Sequence, residues 1–210
     1  MRQERAKRTR RQILDAAGKL FAALGYERAT VVDLLSHSGV TKGAFYFHFS
    51  SKEDVARALF RDRSPRQGLV APQEFRLQEL VDGHLVLTSR LRHDARERGC
   101  FRLCLEQGLD DELRRSWLLE RIVFNEELLT AAREEGELSA HVSVRETAEF
   151  LGSACVGLQL MSQTVIDDAD TGMERRIALL LRNVMSDIAV PAVYAELDID
   201  QDRGIKLLQM

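Results

Sequence analysis

The sequence predicts an all-α protein with a small, basic N-terminal part followed by a larger, acidic helical part. Apolar residues recur at helical spacing along most of the 210 residues, only three prolines occur, and no segment has the pattern of a series of strands. The first 61 residues carry 12 basic and 6 acidic side chains, a net charge of +6, whereas the remainder carries 18 and 27, a net charge of −9. A basic part of this kind indicates a polyanionic partner.

The composition excludes several other classes of protein. With 45% hydrophobic and 30% charged residues, the chain matches folded domains rather than disordered or fibrous sequences. No uncharged apolar stretch reaches the ~20 residues of a membrane span, and no apolar segment follows the basic N-terminus as in a secretory signal. We therefore expect no membrane association and a cytoplasmic location. Cys100, Cys104 and Cys155 are too few to form a disulfide framework.

The first helices are predicted from spacing and from capping residues. The apolar face of the first helix consists of Ile13, Ala17, Leu20 and Leu24. Gly25 is well placed to end this helix in a left-handed conformation. Thr30 can cap a short second helix that carries Val32 and Leu35 on its buried side.

A tight turn and two further capped helices complete the N-terminal part. Residues 38–40 form the turn, and Thr41 can cap a third helix that runs through Phe47. Ser50 or Ser51 can cap a fourth helix, whose first turn contains favourable acidic residues. We predict that three aromatic residues anchor this small core, namely Phe45, Phe47 and Phe49.

Long helical patterns dominate the remainder of the chain. The predicted helices lie near Gln73–Asp94, Arg98–Gln107, Asp111–Glu135, Val144–Ile166 and Met173–Glu196. Pro65 and Pro72 bracket the clearest break, so we predict an N-terminal domain at 1–62, a connector at 63–72 and a helical domain at 73–210. Pro191 should break or kink the last long helix, and the last dozen residues are expected to fray.

The segment between Thr30 and Phe49 has the spacing of a helix-turn-helix, in which two short helices meet at Gly39 and Val40 fills the angle between them. The run from Gly39 to Phe49, Gly-Val-Thr-Lys-Gly-Ala-Phe-Tyr-Phe-His-Phe, followed by Lys52-Glu53, resembles the signature of TetR-family transcriptional regulators. The departures are Leu35 and Ser38, which stand where the family often has alanines. The resemblance implies a DNA-binding head on a ligand-sensing, dimeric body.

Three residues at the start of the third helix are suited to contact double-stranded DNA. Thr41 offers a hydroxyl and helix N-terminal N–H groups to a phosphate. Lys42 can reach a phosphate or the acceptors of guanine in the major groove. Gly43 lacks a side chain, so the helix can approach the DNA closely.

Other residues of the same part are predicted to contact the phosphate backbone. Tyr46 and His48 lie on the outward side of the third helix and can donate to phosphates, as their counterparts do in the resembled family. Lys52 and Thr30, each at a helix start, would clamp the backbone on either side. Arg5 and Arg8 belong to a basic arm that is either a solvated helix start or a contact to phosphates or the minor groove.

A single recognition helix reads few bases, so we predict a homodimer on a palindromic operator. The candidate interface consists of the last two long helices, Val144–Ile166 and Met173–Ile188, which would form a four-helix bundle with their symmetry mates. These seams can also belong to the core of one protomer, and both roles are compatible. The resembled family dimerises through its last two long helices.

The larger part is predicted to hold a small-molecule effector. Trp117 begins a helix that is apolar nearly all round, and the polar residues Thr88, Gln159 and Gln163 are available on other helices. Ordinary core packing is the alternative for each of them. Together with the stretch Val156-Gly157 and the last long helix ending at Val190-Pro191, Trp117 makes this part similar to the γ-butyrolactone autoregulator receptors.

The resemblance implies a repressor that a small, largely apolar effector of the γ-butyrolactone type releases from DNA. Leu158 stands where many such receptors carry a threonine. This departure leaves open a TetR-like sensor of other hydrophobic compounds, such as an antibiotic or metabolite, or a divergent orphan receptor.

Rival functions have weaker support in the sequence. Cys100 and Cys104 share a helical face near His93 and could bind zinc or sense oxidants, but no second pair of ligands matches them. An enzyme would need a nucleophile with its base, a phosphate loop or a di-metal motif, and Glu146 and Glu149 lack the histidine of such a motif. We predict no enzymatic activity, no cofactor and no metal. A sequence-independent DNA-coating protein remains a third possibility.

Overall fold

The structure is a computed structural model that describes residues 2–62, 70–106, 111–164 and 172–209. The described residues confirm the all-α prediction. In chain order the helices are α1 (Arg2–Arg28), α2 (Val31–Ser38), α3 (Lys42–His48), α4 (Lys52–Arg61), α5 (Arg76–His93), α6 (Ala95–Leu105), α7 (Asp111–Glu134), α8 (Val144–Thr164), α9 (Gly172–Ile188), α10 (Pro191–Tyr194) and α11 (Arg203–Leu208). None of these helices contains a stretch long and apolar enough to cross a membrane.

Side-chain caps begin three of the N-terminal helices at the predicted residues. Thr30, Thr41 and Ser51 each accept a hydrogen bond from the backbone N–H three residues further on. Gly39 ends α2 in the left-handed region, with φ 65° and ψ 17°, and this conformation turns the chain into α3. Gly25 interrupts α1 with φ 78° and ψ 178°, and one helical turn continues beyond it to Arg28.

The chain forms two compact units, and the first comprises residues 1–64 and 91–117. Helix α6 therefore belongs to the same unit as the helix-turn-helix, which the predicted boundaries of 62 and 73 did not anticipate. Helices α1 and α6 cross where two glycines meet, since a Cβ on Gly99 would lie 2.7 Å from the carbonyl oxygen of Gly18. The backbones approach this closely only because neither residue has a side chain.

The core of the first unit contains residues from α1, α2, α3, α4, α6 and the first part of α7. Its largest fully buried side chains include Ile13, Leu14, Phe21, Leu34, Phe45, Leu59, Phe101, Leu103 and Trp117. The predicted inward side of α2 is wrong by one position, because Leu34 is buried whereas Val32 is 73% exposed and Leu35 is half-buried. Val32 was predicted to be buried because it is apolar, and a helix of only two turns is too short for its hydrophobic period to show which side is buried.

The second unit comprises residues 65–90 and 118–210, and its core is formed by α5, α7, α8 and α9. The buried carboxylate of Glu137 accepts hydrogen bonds from the backbone N–H groups of Arg76 and Leu77 at 2.8 and 2.9 Å, and it thereby caps the start of α5. As predicted, Pro191 ends the long helical run, and α10 begins there.

The expectation that the last dozen residues fray is wrong. Helix α11 packs on α5 so closely that a Cβ on Gly204 would lie 2.3 Å from the carbonyl oxygen of Leu85. Arg203 forms a double hydrogen bond with the buried carboxylate of Asp82, at 2.5 and 2.9 Å. A charge pair between residues 121 positions apart leaves no periodic signal in the sequence.

Candidate nucleic-acid interface and effector region

The start of α3 forms an exposed surface that the fold itself does not use. Thr41, Lys42 and Gly43 are exposed, and a Cβ added at Gly43 would meet no atom within 4 Å. The hydroxyl of Thr41 accepts from the N–H of Ala44 at 3.2 Å, which orders the first turn. The preceding N–H groups of this turn remain directed at the surface, where the helix dipole favours an anion.

The aromatic residues of α3 divide between the core and the surface. Phe45 and Phe49 are buried as predicted, but Phe47 is 73% exposed, so its assignment to the core is wrong. Residues four apart share one helical face, and Phe47, halfway between, must point away from it. The exposed Tyr46 lies beside Phe47 in sequence, so helical spacing alone places both residues on the outward side of α3.

His48 is half-buried next to the first helix. Burial, and after it the positive charge of Arg10, lowers the pKa of the His48 imidazole below its ordinary value. The ring is therefore neutral at neutral pH and can donate one hydrogen bond without carrying charge. The guanidinium of Arg10 lies 5.4 Å from the ring centre of Phe49 and is also paired with Asp62.

Two of the predicted phosphate-binding residues already have partners within the protein. The hydroxyl of Thr30 donates to the carboxylate of Asp33 at 2.6 Å, and Asp33 also accepts from the backbone N–H of Thr30. These bonds lower the pKa of the Asp33 carboxyl. The ammonium of Lys52 donates to the carbonyl of Tyr26 at 2.7 Å and lies 4.1 Å from the ring centre of that tyrosine. An ammonium has three donors, so Lys52 retains capacity for a phosphate.

The basic arm is the first part of α1 and is helical. Arg5 and Arg8 are exposed, and Lys7 forms an exposed pair with Glu4 at 3.3 Å. The structure thus places both arginines on a helix start whose charges are available to a polyanion.

Glu106, at the C-terminal end of α6, connects this helix to α1, and the sequence did not predict this contact. The carboxylate of Glu106 accepts from the backbone N–H of Tyr26 at 2.6 Å and from Nε of Arg102 at 2.9 Å. It occupies the space beside Gly25, where a Cβ would lie 2.1 Å from its oxygen. The peptide groups on either side of Tyr26 are thus held by Glu106 and by Lys52. Glu106 and Tyr26 are 80 residues apart, so no local pattern points to this contact.

The residues predicted to bind an effector are divided between the two units. Trp117 is fully buried in the first unit, and its ring centre lies 5.8 Å from that of Phe101. Thr88 and Gln159 are buried in the second unit. Thr88 donates to the carbonyl of His84 at 2.8 Å. The side chain of Gln163 lies outside the described residues.

The second unit also holds a buried polar cluster that the sequence argument missed. His84, Asn125 and Cys155 come from α5, α7 and α8 and form a hydrogen-bonded chain. Each residue is isolated in its own helical pattern, so only the packing of three helices brings them together. Among the described residues, no group of three or more metal-binding side chains is arranged to hold an ion.

Helices α8 and α9 expose apolar side chains on the protomer surface. Phe150, Gly157 and Met161 recur at the spacing of one face of α8, and all three are exposed. Leu179 is exposed on α9. Large exposed apolar side chains are typical of a surface that another protein covers.

The chain is similar to known regulatory proteins. Residues 13–59 match the family described as bacterial regulatory proteins, tetR family. The chain is 32% identical over 201 residues to the A-factor receptor protein of Streptomyces griseus, covering 93% of this chain and 69% of that protein. The full-length native tylp structure, a TetR regulator from Streptomyces fradiae, has a TM-score of 0.83 at 36% identity and covers 98% of both chains. CprB from Streptomyces coelicolor, solved in complex with its operator sequence, shares the fold with a TM-score of 0.76 at 24% identity, over 98% of this chain and 99% of that chain.

Proposed function

Because the chain belongs to the TetR family of bacterial regulatory proteins, we propose that it binds a palindromic operator as a homodimer and that a small, largely apolar effector releases it. Its relatives are transcriptional regulators and not enzymes. The exposed start of α3 is the observation that supports the proposal of DNA binding. Two copies of α3 then read successive major grooves about one helical turn apart, ~34 Å.

Operator binding is tested with duplexes selected from a random pool and measured by fluorescence anisotropy. We expect log affinity to fall with log salt by about 0.9 per neutralised phosphate. Lys42→Ala should weaken binding by about 1–3 kcal/mol if Lys42 contacts a base edge. Lys19→Ala, an exposed lysine on α1, is the matched control. An operator affinity that does not change with salt concentration, or equal affinities for both variants, would contradict this role of α3.

The homodimer proposal is supported by the exposed apolar face of α8 and α9. Phe150→Glu places a charge in the proposed interface, so we expect monomers in sedimentation experiments and weaker operator binding. Leu208→Glu changes another exposed apolar residue, on α11, and should leave the dimer intact. A wild-type chain that sediments as a monomer at micromolar concentration would refute the proposal.

The effector proposal is supported by the similarity to the A-factor receptor protein and by the buried polar residues of the second unit. A γ-butyrolactone-type ligand is uncharged and offers oxygen atoms to a few polar groups inside an apolar core. Gln159 is the candidate contact, because its Oε1 is buried, has no hydrogen-bond partner among the described residues and can accept from a hydroxyl group of such a ligand.

The effector is tested by titrating γ-butyrolactones with alkyl side chains against the operator complex, with Trp117 fluorescence as a second readout. We expect Gln159→Leu to raise the concentration needed for release, and Gln209→Leu, an exposed change, to leave it unaltered. Release by other hydrophobic compounds but by no lactone would refute the lactone class and favour a sensor of such compounds.

A further inference from the structure

The second unit contains a cysteine, a histidine and an asparagine in one buried chain of hydrogen bonds. Cys155 Sγ lies 3.4 Å from His84 Nδ1, and His84 Nε2 lies 2.9 Å from Asn125 Oδ1. The three residues are between 0% and 5% exposed. The imidazole thus contacts a thiol with one nitrogen and a carboxamide with the other.

The direction of each hydrogen bond follows from the asparagine. Asn125 Nδ2 donates to the carbonyl of Ala148 at 3.1 Å, so Oδ1 faces His84 and can only accept. His84 Nε2 therefore carries a hydrogen, and in the neutral ring Nδ1 is left as an acceptor for the thiol proton of Cys155. Proteins that activate a cysteine place a base next to the thiol and a third group next to the base to orient it. Here the thiol is Cys155, the base is His84 and the third group is Asn125.

We propose that Cys155 captures small α,β-unsaturated carbonyl compounds covalently, with His84 as the base and Asn125 as its positioning residue. The sulfur forms a bond to the β-carbon of the ligand while the carbon–carbon π bond breaks. The thiol proton passes to His84 Nδ1 and from there to the α-carbon. No group leaves and no oxidant or reductant is consumed, so the product is a thioether.

The position of Cys155 within a helix favours addition over acyl transfer. Acyl transfer needs donors for an oxyanion, but Cys155 lies inside α8, where backbone N–H groups already donate within the helix. Addition to a conjugated carbonyl expels no leaving group, and the negative charge that develops is neutralised by the proton that His84 returns to the α-carbon. Ile122, Phe124 and Leu158 pack against the core that contains Cys155, and these apolar neighbours favour a small uncharged ligand.

Gln159 is an independent sign that this region accommodates a ligand. It lies one helical turn beyond Cys155 on the same face of α8, and it is 4% exposed. Its Oε1 has no hydrogen-bond partner among the described residues, whereas buried polar atoms are nearly always paired. A hydroxyl group on the captured ligand would supply the missing donor.

The reaction at Cys155 is independent of DNA binding, and only its regulatory consequence rests on the proposed function. We would incubate the full chain with 2(5H)-furanone, an unsaturated γ-lactone, and with saturated γ-butyrolactone as the non-electrophilic control. Intact mass and peptide mapping should show one addition per chain at Cys155 with the furanone and none with the saturated lactone.

Variants separate the activated thiol from an ordinary one. Cys155→Ser should abolish the addition, whereas Cys100→Ser should not, although Cys100 is equally buried and its thiol donates to the carbonyl of Leu59 at 3.6 Å. His84→Gln should slow the reaction about 100-fold, the size of a general-base contribution. It should also change the pH dependence of the rate to that of the urea-unfolded chain, which a packing defect alone would not do. Circular dichroism verifies that each variant is folded.

Several results would overturn the proposal. These are preferential addition to Cys100 or Cys104, an unchanged rate and pH profile in His84→Gln, and an unreactive folded chain whose unfolded form reacts. A chain that forms the Cys155 adduct but never binds duplex DNA would support covalent capture and refute the regulatory function. An adduct that leaves operator affinity unchanged would support the reactive site and refute its role as the effector site.

Discussion

Replacement of Arg203 by alanine should destabilise the second unit far more than its position near the C-terminus suggests. Arg203 donates through Nε and a terminal nitrogen to both carboxylate oxygens of Asp82, whose side chain is fully buried. After the substitution, Gln78, at 2.6 Å, remains as a side-chain donor to that carboxylate. Breaking one side of a buried ion pair costs about 3–5 kcal/mol. Because 20% of the Arg203 side chain is exposed, water can enter, and we expect about 3 kcal/mol, at the lower end of that range.

The assay is urea unfolding followed by far-ultraviolet circular dichroism, with both transitions fitted if the two units unfold separately. Lys206→Ala is the matched control in the same helix, because it removes an exposed pair with Asp200 at 3.2 Å that contributes about 0–1 kcal/mol. The expected result is a clear drop in midpoint for Arg203→Ala and almost none for Lys206→Ala. Equal midpoints for the two variants would refute the reasoning that the buried carboxylate docks α11.

Four further measurements test other parts of the fold and the head. Phe45→Ala should cost about 3–5 kcal/mol of unfolding free energy, whereas Phe47→Ala should cost less than about 0.5 kcal/mol and weaken operator binding instead. Gly99→Ala should destabilise the first unit by about 1–3 kcal/mol in thermal unfolding, since its Cβ would press on the α1 backbone. The pKa of His48 is lowered in the folded chain, so the unfolded chain binds its proton first, and stability is lost as pH falls below about 6.5. His48→Gln should reduce this loss in pH-dependent denaturation, and an identical pH profile would contradict it. Glu106→Gln weakens a charge-assisted bond worth about 1.5–3 kcal/mol, and we expect a measurable loss of operator affinity by anisotropy.

The starts of α2, α3 and α4 could be predicted because the interactions that form them involve residues close together in sequence. Thr30, Thr41 and Ser51 cap helices through bonds to residues three positions away, and Gly39 takes a conformation that its own lack of a side chain permits. These interactions are complete within a few residues, so the sequence contains all the information they need. Phe47 was predicted as a core anchor because it is aromatic, but the helical period places it opposite the face that Phe45 and Phe49 share.

The buried polar contacts could not be predicted, because each depends on a partner distant in sequence. Periodicity reports which face of a helix is apolar, but it does not report which other helix packs against that face. Cys155 lies on a regular apolar seam, and nothing in that seam indicates that His84 approaches it. The same holds for Arg203 and Asp82, whose partnership turns an expected frayed end into a docked helix.

The contacts between α6 and α1 are direct enough to constrain how α6 can move. At the crossing of Gly18 and Gly99 the two backbones touch, so α6 cannot move toward α1 there, and any displacement must occur along or away from it. At its C-terminal end, Glu106 holds the N–H of Tyr26, whose carbonyl is held by Lys52 at the start of α4. A shift of this end of α6 therefore breaks the bond from Tyr26 or moves Tyr26 and Lys52 together. In both cases the change reaches the start of α4 through the two peptide groups of Tyr26.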